Sequence, residues 1–540
     1  MNTLKMIFSF LKRYKYTIAV FLYFQIIVYL QIYTFWNRGS YLFYFVNASS
    51  LLLILHLISK CKLKIVSIII CFIFSLLVAF EAYHGFFFKC SISYGIISSI
   101  METNIAEVTD VMQDRMIHSV IIFCFSFLGI YKSVNELKSL NIPVKWSVLF
   151  LSLYLFVGYP LFVFLKIKKA NFSLLYTGSP IRTCQMLITE RFPLIYGQIS
   201  SIILYFHEKK EVKKYLLQDR VLPAGVFWNN PEWAPEKIFF VLGESQCSQH
   251  LSLYGYDIKT TPFLDSLYQA SSKMTVYNAI SPACNTLDGT RLLFTFATPM
   301  DQKPLFMHKN IIELANDAGY QTVWLSNQTT FDIWGNIISQ ISSLSHDIYF
   351  TGYEETTRKL MDISLIPVLQ KKYQKNRKQF FLIHLQGSHY NYKNKYDQID
   401  EAAIEEGNNK NVHYDRSIHH TDRVLREIYR IMKADTSAIL YYISDHGQDL
   451  EMGGHSLING SILQFDVPMF IINQTKIDVN SVVDKYFLHD KNRINTLSTI
   501  NILSELMGYS FSDEIILEVR EQSNYVYHVD GRTYKWDELE

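Results

Sequence analysis

Five stretches within the first 170 residues carry no Asp, Glu, Lys or Arg, and charge-free sequence at that density points to a bilayer. Thr17–Trp36 and Trp146–Leu165 hold twenty residues each, and Tyr41–Ser59 holds nineteen, including His56. Ile65–Phe80 and Met116–Tyr131 hold sixteen each. A spanning helix needs about 20 mostly apolar residues, so the last two depend on their flanks. One such run could be a buried core helix, but five in succession predict five membrane spans.

Lysine and arginine set the orientation. Lys5, Lys12, Arg13 and Lys15 precede the first span, Lys60, Lys62 and Lys64 separate the second from the third, and Lys132, Lys138 and Lys145 the fourth from the fifth. The intervening segments hold Arg38 alone, then Lys89 and Arg115 against five acidic residues. The amino terminus is therefore expected in the cytoplasm and the long carboxy-terminal region outside, although Lys166, Lys168 and Lys169 oppose this mildly. The first run is too long for a cleaved leader and reads as an uncleaved anchor.

Composition narrows the class. Only 19% of the 540 residues are charged, 49% are hydrophobic, and mean hydropathy is +0.09. A net charge of +2 gives no field for nucleic acid, and 15% aromatic content fits membrane contact. Of seven cysteines, Cys90, Cys184, Cys247 and Cys284 fall on the outer side; none forms a CxxC, so disulfides are expected to play a minor role at most.

The expected organisation is a transmembrane domain over 1–169, an interfacial helical connector over 170–230, and an α/β domain over 231–540. In the connector, Phe192–Phe206 is apolar but too short to span, and Glu208–Lys214 is densely charged. Beyond Pro231, short apolar runs alternate with polar, helix-compatible ones. Strands are expected at Lys237–Gly243, Gln321–Ser326, Gln379–Gln386, Ala438–Ser444 and Val467–Ile472. Helices are expected at Leu287–Ala297, His308–Ala318, Val412–Lys433 and Ile494–Met507. That alternation predicts a mostly parallel sheet.

The chemistry gathers where strands end, which is where open parallel sheets place their ligands. Lys237–Gly243 runs into Glu244, Ala438–Ser444 into Asp445–His446–Gly447, and Gln379–Gln386 into Gly387–Ser388–His389. Carboxylates with imidazoles suit zinc or manganese. Thr286, opening a helix after Cys284–Asn285, suits a phosphate through the helix dipole. Singly, Glu244 could be a first-turn helix residue, Thr286 an N-cap, His389 a surface histidine, and Asp445–His446 a loop pair. Together they read as one site.

These residues sit in motifs that resemble bacterial phosphoethanolamine transferases, membrane-anchored members of the alkaline phosphatase and sulfatase superfamily. The motifs are Phe240–Val–Leu–Gly–Glu–Ser245, Leu251–Ser–Leu–Tyr–Gly–Tyr256, Thr261–Pro262, Ser281–Pro–Ala–Cys–Asn–Thr286, Trp324–Leu–Ser–Asn327, His384–Leu–Gln–Gly–Ser–His389, Tyr414–Asp415, Thr421–Asp422 and Ser444–Asp–His–Gly447. Met101–Glu–Thr–Asn104 with Glu107 is similar to an outer-loop element of that family.

The resemblance implies Thr286 as nucleophile, with Glu244, Asp445 and His446 joining it around zinc (one or two ions, manganese being possible). It implies that His389 and His455 contact the phosphoryl group or a second metal. Asn327 and His384 would lie near the donor head group, with Glu102, Thr103 and Asn104 helping to seat it. Relatives acting on lipid A have a glycine- and threonine-rich nucleophile segment flanked by disulfides, which this chain lacks; Thr290 is a second nucleophile candidate, and a core sugar is an alternative acceptor.

The implied reaction takes phosphoethanolamine from phosphatidylethanolamine, releases diacylglycerol through a phospho-threonine, and modifies lipopolysaccharide at a core sugar or lipid A. The implied location is the bacterial inner membrane with a periplasmic catalytic domain. A phosphoglycerol transferase of the lipoteichoic acid synthase type, using phosphatidylglycerol and manganese, is the alternative; the Asn327 motif and the Glu-Thr-Asn loop oppose it. A non-enzymatic transporter or scaffold is a distant third reading, because the ligand residues are intact and the five runs hold no charge.

Overall fold

The computed structural model describes residues 2–32, 41–88, 91–92, 94–102, 116–158, 161, 188, 194–213, 219–229, 231–271, 273–328, 337–351, 361–405, 409–457, 460–529 and 531–539. Two compact units divide the chain, one from Met1 to Leu175 with Ser179–Tyr205, the other chiefly Phe206–Ser456 and Gly460–Glu540.

The first unit is helical. Lys64–Phe88 and Met116–Leu137 are long and apolar enough to cross a membrane. Shorter apolar helices lie at the other three runs, over Lys15–Ile32, Tyr41–Ser59 and Val144–Leu153, the last continued by a π-helical turn to Gly158. Side chains from the lysine-rich segments close one end of this bundle. Lys60 donates to the carbonyls of Lys138 (3.2 Å) and Leu140 (2.8 Å), and Glu136 accepts from the backbone N–H groups of Tyr16 (3.1 Å) and Thr17 (2.8 Å).

The third run corrects the expectation that the spans are free of charge. Its helix passes Phe80 and continues to Phe88, taking in Glu81. Glu81 is buried, and both carboxylate oxygens are occupied, one by the Gln31 amide at 2.5 Å and the other by the Gln198 amide at 3.1 Å. Gln198 belongs to a single helix, Ile195–Lys213, which joins the apolar and charged parts of the expected connector.

The second unit is built on strands β1 Val226–Trp228, β2 Lys237–Gly243, β3 Met274–Ile280, β4 Gln321–Ser326, β5 Asp347–Phe350, β6 Gln379–His384, β7 Ala438–Ser444, β8 Asp466–Asn473, β9 Ile494–Asn495, β10 Tyr509–Phe511, β11 Tyr525–Tyr527 and β12 Thr533–Lys535. Eight form one sheet in the order β5-β4-β6-β2-β7-β8-β3-β9, while β1 pairs with β10 and β11 with β12. Within the large sheet only β8 runs against its neighbours β7 and β3.

Strands β2, β6 and β7 are buried along their whole length, as continuous apolar runs in a covered parallel sheet should be. Alternation divides them between two cores. Ile238, Phe240 and Leu242 face one with the helices Thr286–Phe294, Ile311–Asp317 and Thr499–Met507, whereas Phe239 and Val241 face the other with Pro262–Ala270, Leu365–Lys372 and Val412–Met432. The carboxy-terminal helix starts later than expected, because Ile494–Asn495 joins the sheet edge as β9.

The helix Val412–Met432 ties the second core to the segment after β2. Tyr414 Oη donates to Ser245 O (2.8 Å) and accepts from Cys247 N (2.9 Å), and Asp422 takes the N–H groups of Phe263 and Leu264 at 2.9 and 3.0 Å. Burial pushes the Asp422 carboxyl up to about 7. One turn earlier, His419 and His420 hold the two oxygens of buried Asp400 at 2.7 and 2.9 Å, and Arg423 adds a contact at 2.8 Å.

Burial alone would raise Asp400, but the two histidine hydrogen bonds outweigh it and hold the carboxyl below its ordinary range. Its contribution to stability is therefore present above the ordinary carboxylate pKa and is lost as pH falls through the lowered one. Asp400→Asn should destabilise the protein by about 3 kcal/mol at neutral pH, since removing one partner strands buried donors. Thermal unfolding should show this deficit near pH 7 and a shrinking one in strong acid.

Candidate active site

Parallel pairing sets the site. Strands β2 and β7 lie side by side with Gly243 opposite Ser444, so Glu244 and Asp445 leave the sheet together, followed by His446. All three are fully buried. The chain turns sharply there: Ser245 has φ +58°, donates its N–H to Asp445 Oδ1 (3.1 Å), and sends its hydroxyl to Glu244 Oε1 (2.8 Å). His446 N also donates to Asp445 Oδ1, at 2.8 Å.

Glycines allow the close approach. A Cβ on Gly289 would lie 2.8 Å from the Asp445 carbonyl oxygen, and one on Gly387 (φ +48°) would lie 2.7 and 2.8 Å from the Glu244 backbone. The helix that Thr286 opens and the loop after β6 thus pack directly on the backbone of the two acids. Asp362 fixes that loop by accepting from Gln386 N (2.8 Å), Gly387 N (2.9 Å) and the Asn327 amide (2.8 Å).

Thr286 is the first residue of its helix, and Asn285, not Thr286, is the N-cap, accepting from Asp288 N at 2.9 Å. The Thr286 hydroxyl is left facing the acids, with Oγ1 3.2 Å from each Glu244 oxygen and 3.4 Å from His446 Nε2. Thr290 is a turn deeper, fully buried, and bonded to Thr286 O at 2.5 Å. Glu244 begins no helix, and His389 is half-buried with Nδ1 2.8 Å from Tyr390 O. His455 packs its ring 4.2 Å from that of His446 and 6.3 Å from that of His389.

Asn327 and His384 are buried at the ends of β4 and β6, Asn327 with its amide on Asp362. Thr103 and Asn104 lie outside the described residues; Glu102 ends the helix Tyr94–Glu102, with its side chain likewise outside. Cys247 and Cys284, both buried, carry thiols, as do Cys61, Cys71 and Cys124; Cys90 and Cys184 lie outside the described residues. Ser245, Gln328, Asp362 and Gln448 touch the site or its supports and carry no spacing signal of their own.

The electrostatics call for a cation. Burial, then the neighbouring Glu244 charge, push Asp445 up to about 8. Burial would lower His446, but Asp445 and Glu244 outweigh it and push the imidazole up to about 9. Burial would likewise raise Glu244, but the hydrogen bond and charge of His446 hold it well below the ordinary range.

Asp445 Oδ2 is buried without a hydrogen-bond partner, whereas its Oδ1 has two. His446 Nε2 lies 3.3 Å from Glu244 Oε1 and 3.5 Å from Asp445 Oδ2. A tetrahedral ion bound at roughly 2.0–2.2 Å needs donors about 3.3–3.6 Å apart, so the set fits zinc. Asp397, Asp400 and His420 also approach one another closely, but Arg423 already contacts both carboxylates there.

The family model described as Sulfatase matches residues 236–509. A phosphoethanolamine transferase, EptC, of Escherichia coli O18:K1:H7 is 23% identical over 448 residues, covering 78% of this chain and 76% of its own. The solved lipooligosaccharide phosphoethanolamine transferase A of Neisseria meningitidis, an integral membrane protein, superposes with a TM-score of 0.64 at 17% identity, covering 93% of this chain and 95% of its own. The periplasmic domain of Escherichia coli EptC, solved in complex with zinc, superposes with a TM-score of 0.51 at 22% identity, covering 59% and 98%.

Gly289→Ala should displace the helix carrying Thr286 by several tenths of an ångström. Turnover should fall about 10- to 100-fold, as misplaced reacting groups do. Steady-state kinetics on the folded variant check this.

Proposed function

Because the chain belongs to the sulfatase family, we propose that it moves phosphoethanolamine from phosphatidylethanolamine to a lipopolysaccharide acceptor, a core sugar or lipid A, by way of Thr286. The observation that carries this reading is the Thr286 hydroxyl held 3.2 Å from Glu244 and 3.4 Å from His446 at the exits of β2 and β7. The names of the relatives, phosphoethanolamine transferases of bacterial envelopes, supply the group transferred and the class of acceptor.

Glu244, Asp445, His446 and Thr286 would hold zinc, which lowers the pKa of a bound hydroxyl and offsets charge on the phosphoryl oxygens. Thr286 Oγ1, at the amino terminus of its helix, gives up its proton to water and attacks phosphorus. The bond from phosphorus to the glycerol oxygen breaks, and the departing oxygen takes a proton from His389 or His455. An acceptor hydroxyl then gives its proton to a histidine Nε2 and attacks the same phosphorus, releasing Thr286. Phosphoryl transfer asks for alignment and charge stabilisation more than covalent help, and a rigid cluster at strand ends provides alignment.

The five apolar helices of the first unit would all span the inner membrane, with the amino terminus in the cytoplasm and the catalytic domain in the periplasm. Domain limits near 169 and 230 follow the same reading. Glu102, Thr103 and Asn104, with Asn327 and His384, would serve the donor head group. This placement brings the catalytic domain to a lipid donor and a lipid-linked acceptor.

Purified protein in detergent should release diacylglycerol from phosphatidylethanolamine when lipopolysaccharide is supplied. Thr286→Ala should lower that release by about 10³-fold or more, as loss of a nucleophile does. Chelation should abolish it and zinc restore it. Release from phosphatidylglycerol alone would move the assignment to a phosphoglycerol transferase, and full activity after verified zinc removal would refute the metal role.

A further inference from the structure

The carboxy-terminal hairpin of β11 and β12 lies beyond residues 236–509, which the sulfatase model matches, yet it packs on the segment that presents Thr286. Tyr527 is 2% exposed and donates its backbone N–H to Pro282 O at 2.7 Å, and Ala283 bridges to it as a parallel strand does. The Arg291 guanidinium lies over the Tyr527 ring, 6.0 Å from its centre.

Arg291 belongs to the helix that Thr286 opens, and there it pairs with buried Asp288. Asp288 exchanges two hydrogen bonds with the N-cap residue: its N–H donates to Asn285 Oδ1 and its Oδ2 accepts from the Asn285 amide, both at 2.9 Å. Tyr527 therefore reaches the Thr286 backbone from both sides. One route is the strand-like pairing with Pro282 and Ala283 ahead of it, and the other runs through Arg291, Asp288 and Asn285. A planar guanidinium suits this post, since it can stack on a ring while donating in its plane to a carboxylate.

The hairpin is itself well held. Asn495, at the end of β9, donates its amide to Ser523 O and Tyr525 O at 3.0 and 3.1 Å, and Thr533 Oγ1 donates to Pro299 O at 2.9 Å. Lys491 and Arg493 place their cations 4.8 and 5.8 Å from the centre of the Trp536 ring just after β12.

We propose that Tyr527 is a positioning residue for the transfer reaction, its ring and backbone fixing the helix cap so that the Thr286 hydroxyl stays 3.2 Å from both Glu244 oxygens. The inference rests on the transfer reading above. The cap sets the backbone from which the Thr286 side chain leaves. A loosened cap lets Oγ1 drift out of line with phosphorus, which slows the chemical step and leaves lipid binding intact.

The test is steady-state transfer from phosphatidylethanolamine to lipopolysaccharide by the full-length protein, with zinc per chain and melting temperature measured on each variant. Tyr527→Leu keeps apolar bulk and the backbone N–H but removes the ring face. It should lower kcat about 10-fold with KM for the donor little changed and zinc retained. Tyr527→Phe keeps the ring and should stay within about threefold of wild type. Arg291→Lys keeps the charge beside Asp288 but gives up the planar fork, and should also lose about 10-fold in kcat. Because both residues act through the same cap, the double variant should lose about 10-fold as well, far short of the product of the two single effects.

A folded, zinc-loaded Tyr527→Leu with wild-type kcat overturns the inference, as does Tyr527→Phe falling as far as Tyr527→Leu, or a double variant that loses the full product. Should Tyr527→Leu fail to fold, Arg291→Lys and Tyr527→Phe decide: wild-type kcat in Arg291→Lys, or a 10-fold loss in Tyr527→Phe, overturns it. No transfer by the wild-type protein contradicts the transferase reading instead.

Discussion

Two carboxylates meet in a dry pocket at the ends of adjacent parallel strands, and the rest of the catalytic domain is arranged around that fact. Glu244 and Asp445 leave β2 and β7 at the same level because Gly243 and Ser444 are in register. Without a countercharge, one of them must hold a proton. The structure provides for a cation: Asp445 Oδ1 is fixed by two backbone N–H groups while Oδ2 has no hydrogen-bond partner and lies 3.5 Å from His446 Nε2. Gly289 and Gly387 then let a helix and a loop rest on the backbone of the two acids, which fixes Thr286 and His389 relative to them.

Rigidity of this kind suits phosphoryl transfer. The Thr286 hydroxyl sits at a helix amino terminus, a place of positive potential, and His389, His446 and His455 each rest Nδ1 on a backbone carbonyl or the Gln448 amide. Their orientation comes from carbonyls and one buried amide, none of which titrates. The membrane unit has its own polar clasp, in which Gln31 and Gln198 satisfy Glu81 among apolar helices. A carboxylate so occupied ties helices together.

Much of this could be read from the sequence. The limits of β2, β4 and β7 were legible because continuous apolar runs end abruptly at polar residues, and Glu244, Asp445 and His446 were found by that same break. Strand β3 was harder, since Met-Thr-Val-Tyr-Asn-Ala-Ile is half exposed, and the edge strands β5 and β9 have four and two residues. Glu81 was placed beyond its span because its partners Gln31 and Gln198 are 50 and 117 residues away. Asp362 and Gln448 left no trace, because a single buried polar residue acquires meaning only from what folds onto it. The motifs around Tyr414 and Asp422 are scaffolding for the segment after β2, a role that spacing does not reveal.

The most direct measurement is mass spectrometry of the purified, zinc-loaded protein after exposure to head-group-labelled phosphatidylethanolamine without acceptor. The account predicts a phosphoethanolamine adduct on the peptide bearing Thr286, absent from Thr286→Ala and discharged when lipopolysaccharide is added. An adduct on Thr290 or elsewhere, or turnover with no adduct at all, would contradict it.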